Sequence, residues 1–208
     1  MKYDFGQKDW KKNWKKDFRY AYSLVANSFC EFNEEEDHLS NGYNEDIGGY
    51  DYISIVHKDV HGVGEKLSLK CSFDHFGAPL ITVANDLWTD DEGHTRYGDH
   101  YEVVAYEGGC NVWYITKADE GSTRPFKVAN CLRLRFPIEE KTEVSLSVEL
   151  LNKALRVEVN GIGFDLPAPF IAEKVYMGVT ACEALTVFTK LKYDKKHGEC
   201  GNSPCFFI

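Results

Sequence analysis

The sequence predicts an all-β fold, a two-sheet antiparallel β-sandwich, formed as one domain over residues 1–208. Three observations predict it. Apolar and polar residues alternate along several short runs, Gly, Asn and Asp turns punctuate those runs, and Val, Tyr, Phe and Thr dominate them while Met occurs only twice.

The chain opens on a basic aromatic segment, residues 1–19, in which Trp10, Trp14 and Phe18 fall at i, i+4 and i+8. On a short helix this spacing makes one aromatic stripe between lysines, which predicts docking of the stripe onto the body of the protein. From residue 20 the pattern changes. Leu67, Leu69, Cys71 and Phe73 alternate with Lys66, Ser68, Lys70 and Ser72. The same period recurs in Val144, Leu146, Val148 and Leu150, and again in Leu155, Val157 and Val159. Period two with one apolar face describes a strand with one side on a core and the other in water. Asn160-Gly161 and Gly108-Gly109 are dipeptides suited to positive φ and therefore predict hairpin turns. Strands of this kind fill the chain to about residue 193, with neither helical crossovers nor a long-period repeat between them. Residues 194–208 form a tail with two of the seven cysteines. At 43% hydrophobic and 14% aromatic, a chain of this length can bury a sizeable core, which excludes disorder.

The order of segments carries a resemblance. Residues 67–88 hold two strands joined by a short loop, 98–116 a central hairpin, 143–166 a strand, turn and strand ending on Asn-Gly, and 174–193 a closing pair. This series, over residues 20–193, resembles the concanavalin A-like jelly roll of legume-type lectins, laminin-G-like modules and many glycoside hydrolases. The resemblance implies a glycan ligand on the concave sheet. Retaining glucanases of that fold carry Glu-X-Asp-X-Glu along one strand, and no such motif occurs here, so their mechanism does not transfer.

The 98–116 hairpin carries the candidate site. With Gly108-Gly109 as a two-residue turn, Glu107 faces Cys110, Tyr106 faces Asn111, Val104 faces Trp113 and Glu102 faces Ile115. One face then holds Tyr101, Val103, Ala105, Val112 and Tyr114, a core set. The other holds His100, Glu102, Val104, Tyr106, Asn111 and Trp113, a mixture suited to sugars: rings stack on pyranose faces while carboxylate and amide groups bind hydroxyls. His100 and Glu102, two apart on one face, are candidates for catalytic base and acid. Tyr106, Asn111, Trp113, Asp86 and Arg96 are candidates for ligand binding. Asp74, His75, Asn85, Trp88 and Asp99 are further polar or aromatic groups positioned to extend a groove.

Charge and cysteine content narrow the partners. A net charge of −9 disfavours nucleic acid. Residues 1–20 carry seven Lys/Arg against three acidic residues, whereas 31–46 carry seven acidic residues and no Lys or Arg, so the two regions are suited to face each other. A Ca²⁺ site near Glu34, Glu35, Glu36 and Asp37 is the alternative, although a linear acidic run supplies no coordination sphere alone. No apolar run approaches the length of a membrane span. Seven cysteines and an N-terminus without an apolar leader predict a reducing, cytoplasmic setting with free thiols. His197, Cys200 and Cys205 in the tail lack the fourth ligand of a zinc site. His61-Gly-Val-Gly64 is too short for a phosphate loop, and no Gly-X-Ser-X-Gly is present.

These readings lead to a carbohydrate-binding jelly roll, without cofactor or metal, as the first function. The alternative is a glycan-active hydrolase or lyase using His100 and Glu102. A protein-interaction module built on the basic N-terminus comes third.

Overall fold

The computed structural model describes residues 1–7, 10–26 and 29–195, leaving the tail cysteines outside the described residues. Two large antiparallel sheets make the body. One has the order β17 (Ile162–Pro167), β16 (Ala154–Val159), β15 (Val144–Leu151), β8 (Lys66–Phe73), β19 (Thr186–Asp194), β4 (Leu39–Ser40) and β3 (Asn33–Glu34), with β1 (Lys2–Asp4) also pairing β19. The other has the order β14 (Phe126–Arg135), β13 (Gly109–Lys117), β12 (His100–Tyr106), β9 (Ala78–Ala84), β18 (Tyr176–Cys182), β7 (Ile53–His57) and β2 (Phe18–Tyr20). Two small hairpins complete the set: β5 (Tyr43–Asn44) with β6 (Gly49–Tyr50), and β10 (Leu87–Thr89) with β11 (Thr95–Tyr97).

The alternation read from the sequence is the alternation of burial. Leu67, Leu69, Cys71 and Phe73 point inward from β8, and Val144, Leu146, Val148 and Leu150 do so from β15. They meet Ile81, Val83, Tyr101, Val103, Met177 and Val179 of the facing sheet in one continuous core. Asn160 and Gly161 take φ of 49° and 80° between Val159 and Ile162, the two-residue turn predicted for that dipeptide.

The 67–88 segment divides between the sheets. β8 ends at Phe73, the chain crosses, and β9 begins at Ala78 in the other sheet. β18 and β19 make a second crossing at the same corner, where Glu183 takes φ of 70°. The crossings pass so closely that a Cβ on Gly77 would lie 2.6 Å from the Leu185 carbonyl oxygen. Phe76 and Glu183 are the exposed tips of this corner.

At the N-terminus, α1 (Trp10–Asp17) presents its aromatic stripe to the core: Trp10, Trp14 and Phe18 are all buried. Its lysines turn toward the acidic region. Lys15 pairs with Glu34 at 2.5 Å, and Lys11 Nζ donates to the Glu34 carbonyl at 2.6 Å. Asp37 is engaged by His38 at 2.7 Å. The acidic run thus meets the basic helix instead of converging on one point. Among the described residues, the three metal-ligand atoms that do converge, within 4.8 Å of one another, belong to Asp74, His75 and Glu140. Lys141 competes there, its ammonium 3.2 Å from Asp74. Cys71, Cys110, Cys131 and Cys182 are free thiols, and no described helix is long and apolar enough to cross a membrane.

Candidate functional site

The central hairpin has a different turn from the one its glycines predict. Tyr106 pairs with Gly109, Val104 with Asn111, Glu102 with Trp113 and His100 with Ile115, so the turn is Glu107-Gly108. Gly109 belongs to the strand. A Cβ there would sit 2.2 Å from the Leu134 carbonyl oxygen of β14, so this glycine, at φ of 130°, serves the close approach of β14. The correction moves every pair by two positions, an even number, and a strand has period two. The two faces therefore keep the membership read from the sequence. Tyr101, Val103, Ala105 and Val112 enter the core, and Glu102, Val104, Tyr106, Asn111 and Trp113 lie on the outer face.

That outer face is half covered and half open. Over the first half, residues 21–26 and the β10–β11 hairpin fold back on the sheet. Tyr22 bridges Arg96, and Tyr97, wholly buried, sits against Ala21, Val56 and Ala84. Its hydroxyl is 2.7 Å from Ser54 Oγ, Ser54 Oγ is 2.6 Å from Thr180 Oγ1, and Thr180 is 3.0 Å from Thr82 Oγ1. This ladder satisfies four buried hydroxyls that a sheet face alone would strand. Room for the Tyr97 hydroxyl depends on Gly178, where a Cβ would lie 2.7 Å from it and 2.3 Å from the Ile55 carbonyl oxygen.

The other half is a groove of about 310 Å³. Its floor is Ala78, Leu80, Val104 and Cys182, a small apolar cluster against which Tyr52 and Trp113 pack. Tyr106, Phe76 and Asn111 add to the walls, and three carboxylates, Glu102, Glu107 and Glu183, reach its surface. A register shift between Val112 and Trp113, which skips Cys131 of β14, falls at the wall tryptophan. A bulge at such a point re-aims neighbouring side chains. Desolvation at the groove edge raises the Glu183 carboxyl pKa above its ordinary value.

Glu102 is buried at the groove's base, and its bonds are specific. Tyr52 donates its hydroxyl to Glu102 Oε1 at 2.6 Å, and His100 Nε2 approaches the same oxygen at 3.3 Å. Burial and the adjacent Glu102 charge drive the Tyr52 hydroxyl pKa well above its usual value, so it remains a donor. His100 Nδ1 is 2.7 Å from the Gly98 carbonyl, which can only accept, so Nδ1 carries a proton. His100 Nε2 is also 2.9 Å from Ser23 Oγ. The imidazole is fully buried and lies behind Glu102 instead of lining the groove. The arrangement fixes one carboxylate oxygen from behind through Tyr52 and His100.

Of the seven residues read as site candidates, the structure brings Glu102, Tyr106, Asn111 and Trp113 together in the groove, with His100 behind them. Asp86 and Arg96 lie elsewhere. Asp86 borders a separate depression of about 470 Å³ with Leu24, Trp88 and Lys117. Arg96 clamps the covering segment: Nε bonds Asp90 at 2.9 Å, Nη1 reaches the Ser23 carbonyl at 3.2 Å, and the guanidinium lies 4.5 Å from the Phe29 ring centre. Both residues belong to segments that the β10–β11 hairpin carries away from the groove. Asn85 is likewise spent on the Phe170 carbonyl and the Ala172 amide. Sequence reading missed Tyr52, Phe76 and Glu183, which come from distant segments with no local signal.

No protein-family model and no curated protein matches the sequence. Solved structures do match its fold. The carbohydrate-binding module CBM66 from Bacillus subtilis superposes with a TM-score of 0.58 at 10% identity, covering 86% of this chain and 96% of that one. A Bacteroides ovatus mixed-linkage glucan GH16 enzyme, solved with a product, gives 0.60 at 8% identity over 93% and 99% of the two chains. A pseudo β-1,3-glucanase of Mycobacterium tuberculosis gives 0.54 at 10% identity over 95% and 98%. The protein is a concanavalin A-like jelly roll. At these identities the likeness is one of fold, and the jelly roll's function must be argued from its groove.

Proposed function

We infer that this jelly roll is a carbohydrate-binding protein that holds a glycan in the open half of the seven-stranded sheet's outer face. The observation that carries the reading is the combination in one groove of an aromatic wall, Trp113, and a carboxylate held from behind, Glu102. An indole face suits the C–H face of a pyranose, and a fixed carboxylate accepts its hydroxyls. The structures that share the fold include a carbohydrate-binding module and a glucan enzyme, which supports the same class of ligand.

A second reading, glycan hydrolysis or elimination, has a specific observation in its favour: Glu107 and Glu183 line the same groove as Glu102, so paired carboxylates are available. His100 supports binding more than catalysis. Behind Glu102 and out of the groove, it is placed to position that carboxylate, not to exchange a proton with a ligand.

Glycan-array screening followed by calorimetry on the wild type and Glu102→Gln separates the readings. The binding reading expects saturable affinity for at least one oligosaccharide and no reducing-end release or unsaturated product on prolonged incubation. Turnover that Glu102→Gln abolishes would establish the enzyme instead.

A further inference from the structure

The groove's charged groups are all of one sign. Glu102, Glu107 and Glu183 contribute carboxylates, and no described Lys, Arg or His lines the groove. Glu102 commits one oxygen, Oε1, to Tyr52 and His100, and Oε2 takes part in neither bond. Asn111 Oδ1 is buried without a hydrogen-bond partner. A buried acceptor left unsatisfied costs free energy until a donor reaches it. Among the potential donors, the Tyr52 hydroxyl is already committed to Glu102. The groove's charge and this unpaired acceptor both favour a ligand that brings positively charged donors.

Charge sharpens this. Three carboxylates around an apolar floor, with no lining cation, disfavour an anionic ligand and favour a cationic one. The walls reinforce it, because Trp113, Tyr52, Tyr106 and Phe76 bring ring faces and edges to the same space, and aromatic faces attract ammonium groups. The molecule's lysines gather elsewhere. Lys66, Lys70, Lys190 and Lys192 border a groove on the opposite sheet, so the acidic groove lacks the cations that would neutralise it internally.

We propose that the groove selects glycans carrying a free, protonated amine: hexosamine units with an unacetylated amino group. The amine offers three N–H donors and one positive charge to the cluster of Glu102, Glu183 and the Asn111 carbonyl, while Trp113 takes the sugar ring. Uronic and sulfated sugars are excluded by the same carboxylates. The proposal deepens the glycan reading and rests on it.

The test is calorimetric titration of the full chain with three oligomers of equal length: a glucosamine oligomer, its fully N-acetylated counterpart and a β-1,4-glucose oligomer. The amine-bearing oligomer should bind at least about tenfold tighter than the other two, a factor worth about 1.4 kcal/mol. Its advantage should shrink on raising NaCl from about 50 mM to about 500 mM, since the groove is open to solvent. The ratio of its affinity to that of the glucose oligomer should also fall in Glu183→Gln. Equal or tighter binding of the acetylated or glucose oligomer overturns the amine selection and leaves the glycan reading standing. Binding of spermidine as tight as that of the glucosamine oligomer would show an amine site without sugar recognition and overturn both.

Discussion

His100 Nε2 lies 3.3 Å from Glu102 Oε1, while its other ring nitrogen donates to the Gly98 carbonyl. The Ser23 hydroxyl lies 2.9 Å from the same Nε2, so three side chains meet at this point. The pair is buried, so each partner depends on the other. His100→Phe should leave Glu102 and the Ser23 hydroxyl short of a partner and destabilise the fold by about 2–4 kcal/mol. Glu102→Gln can keep its amide oxygen at the Oε1 position as the acceptor for Tyr52, and should cost less than about 1.5 kcal/mol. Urea denaturation of both variants checks the order, and the reverse order would show that the pair does not act as described.

Trp113 is half-buried at the groove wall, and stacking is its main use in the proposed complex. Trp113→Ala should weaken glycan binding by at least about tenfold, with Trp113→Phe intermediate. Titration calorimetry on the two variants measures this. Unchanged affinity in Trp113→Ala would place the ligand elsewhere.

Gly178→Ala tests the covered half of the sheet. The added methyl would meet the Ile55 carbonyl and the Tyr97 hydroxyl at well under contact distance, so Tyr97 or the strand must move. A loss of about 3 kcal/mol is expected, lowering Tm by roughly 6–12 °C. Thermal unfolding reports it. A shift below about 2 °C would mean that the Tyr97 cover is loosely held.

The core contains a pH-sensitive pair. His57 and His61 are both buried, with His57 Nδ1 3.2 Å from His61 Nε2, and burial is the main cause lowering both pKa values below the ordinary 6.5. Glu65 and Asp59 pull partly in the opposite direction, while Lys195 adds to the lowering. A lowered folded-state pKa means that the unfolded chain takes up protons first as pH falls. The stabilisation is therefore complete above about pH 6.5 and is lost as pH drops through the lowered values. Tm should be flat from about pH 8 to 7 and decline below about pH 6.5. His57→Phe, which keeps the ring packing against Phe18 and Tyr193, should flatten that decline. A decline as steep as in the wild type would assign it to carboxylates.

The fold was legible because its signals are local and redundant. Alternation along β8, β15 and β16 reports burial directly, and Asn160-Gly161 places a turn at the predicted residues. The central hairpin shows both the reach and the limit of such reading. Gly109 is glycine because β14 passes within contact of it, a tertiary cause that mimics a turn signal. The faces survived because the error was even. Glu102 and Trp113 were accessible to reading for that reason. Tyr52, Phe76 and Glu183 were not, since two sheet crossings and a strand entry deliver them from far along the chain. Arg96 looked like a ligand residue from composition, and only the fold reveals that its donors are spent on Asp90 and the Ser23 and Ala26 carbonyls.

The most direct test of the groove as the glycan site is a heteronuclear NMR titration that follows backbone and indole N–H signals as an oligosaccharide binds. The account predicts shifts concentrated at Trp113, Asn111, Tyr106 and Glu102 on the outer face of the seven-stranded sheet. Shifts confined to the lysine-lined groove of the opposite sheet, around Lys70 and Lys190, would contradict it.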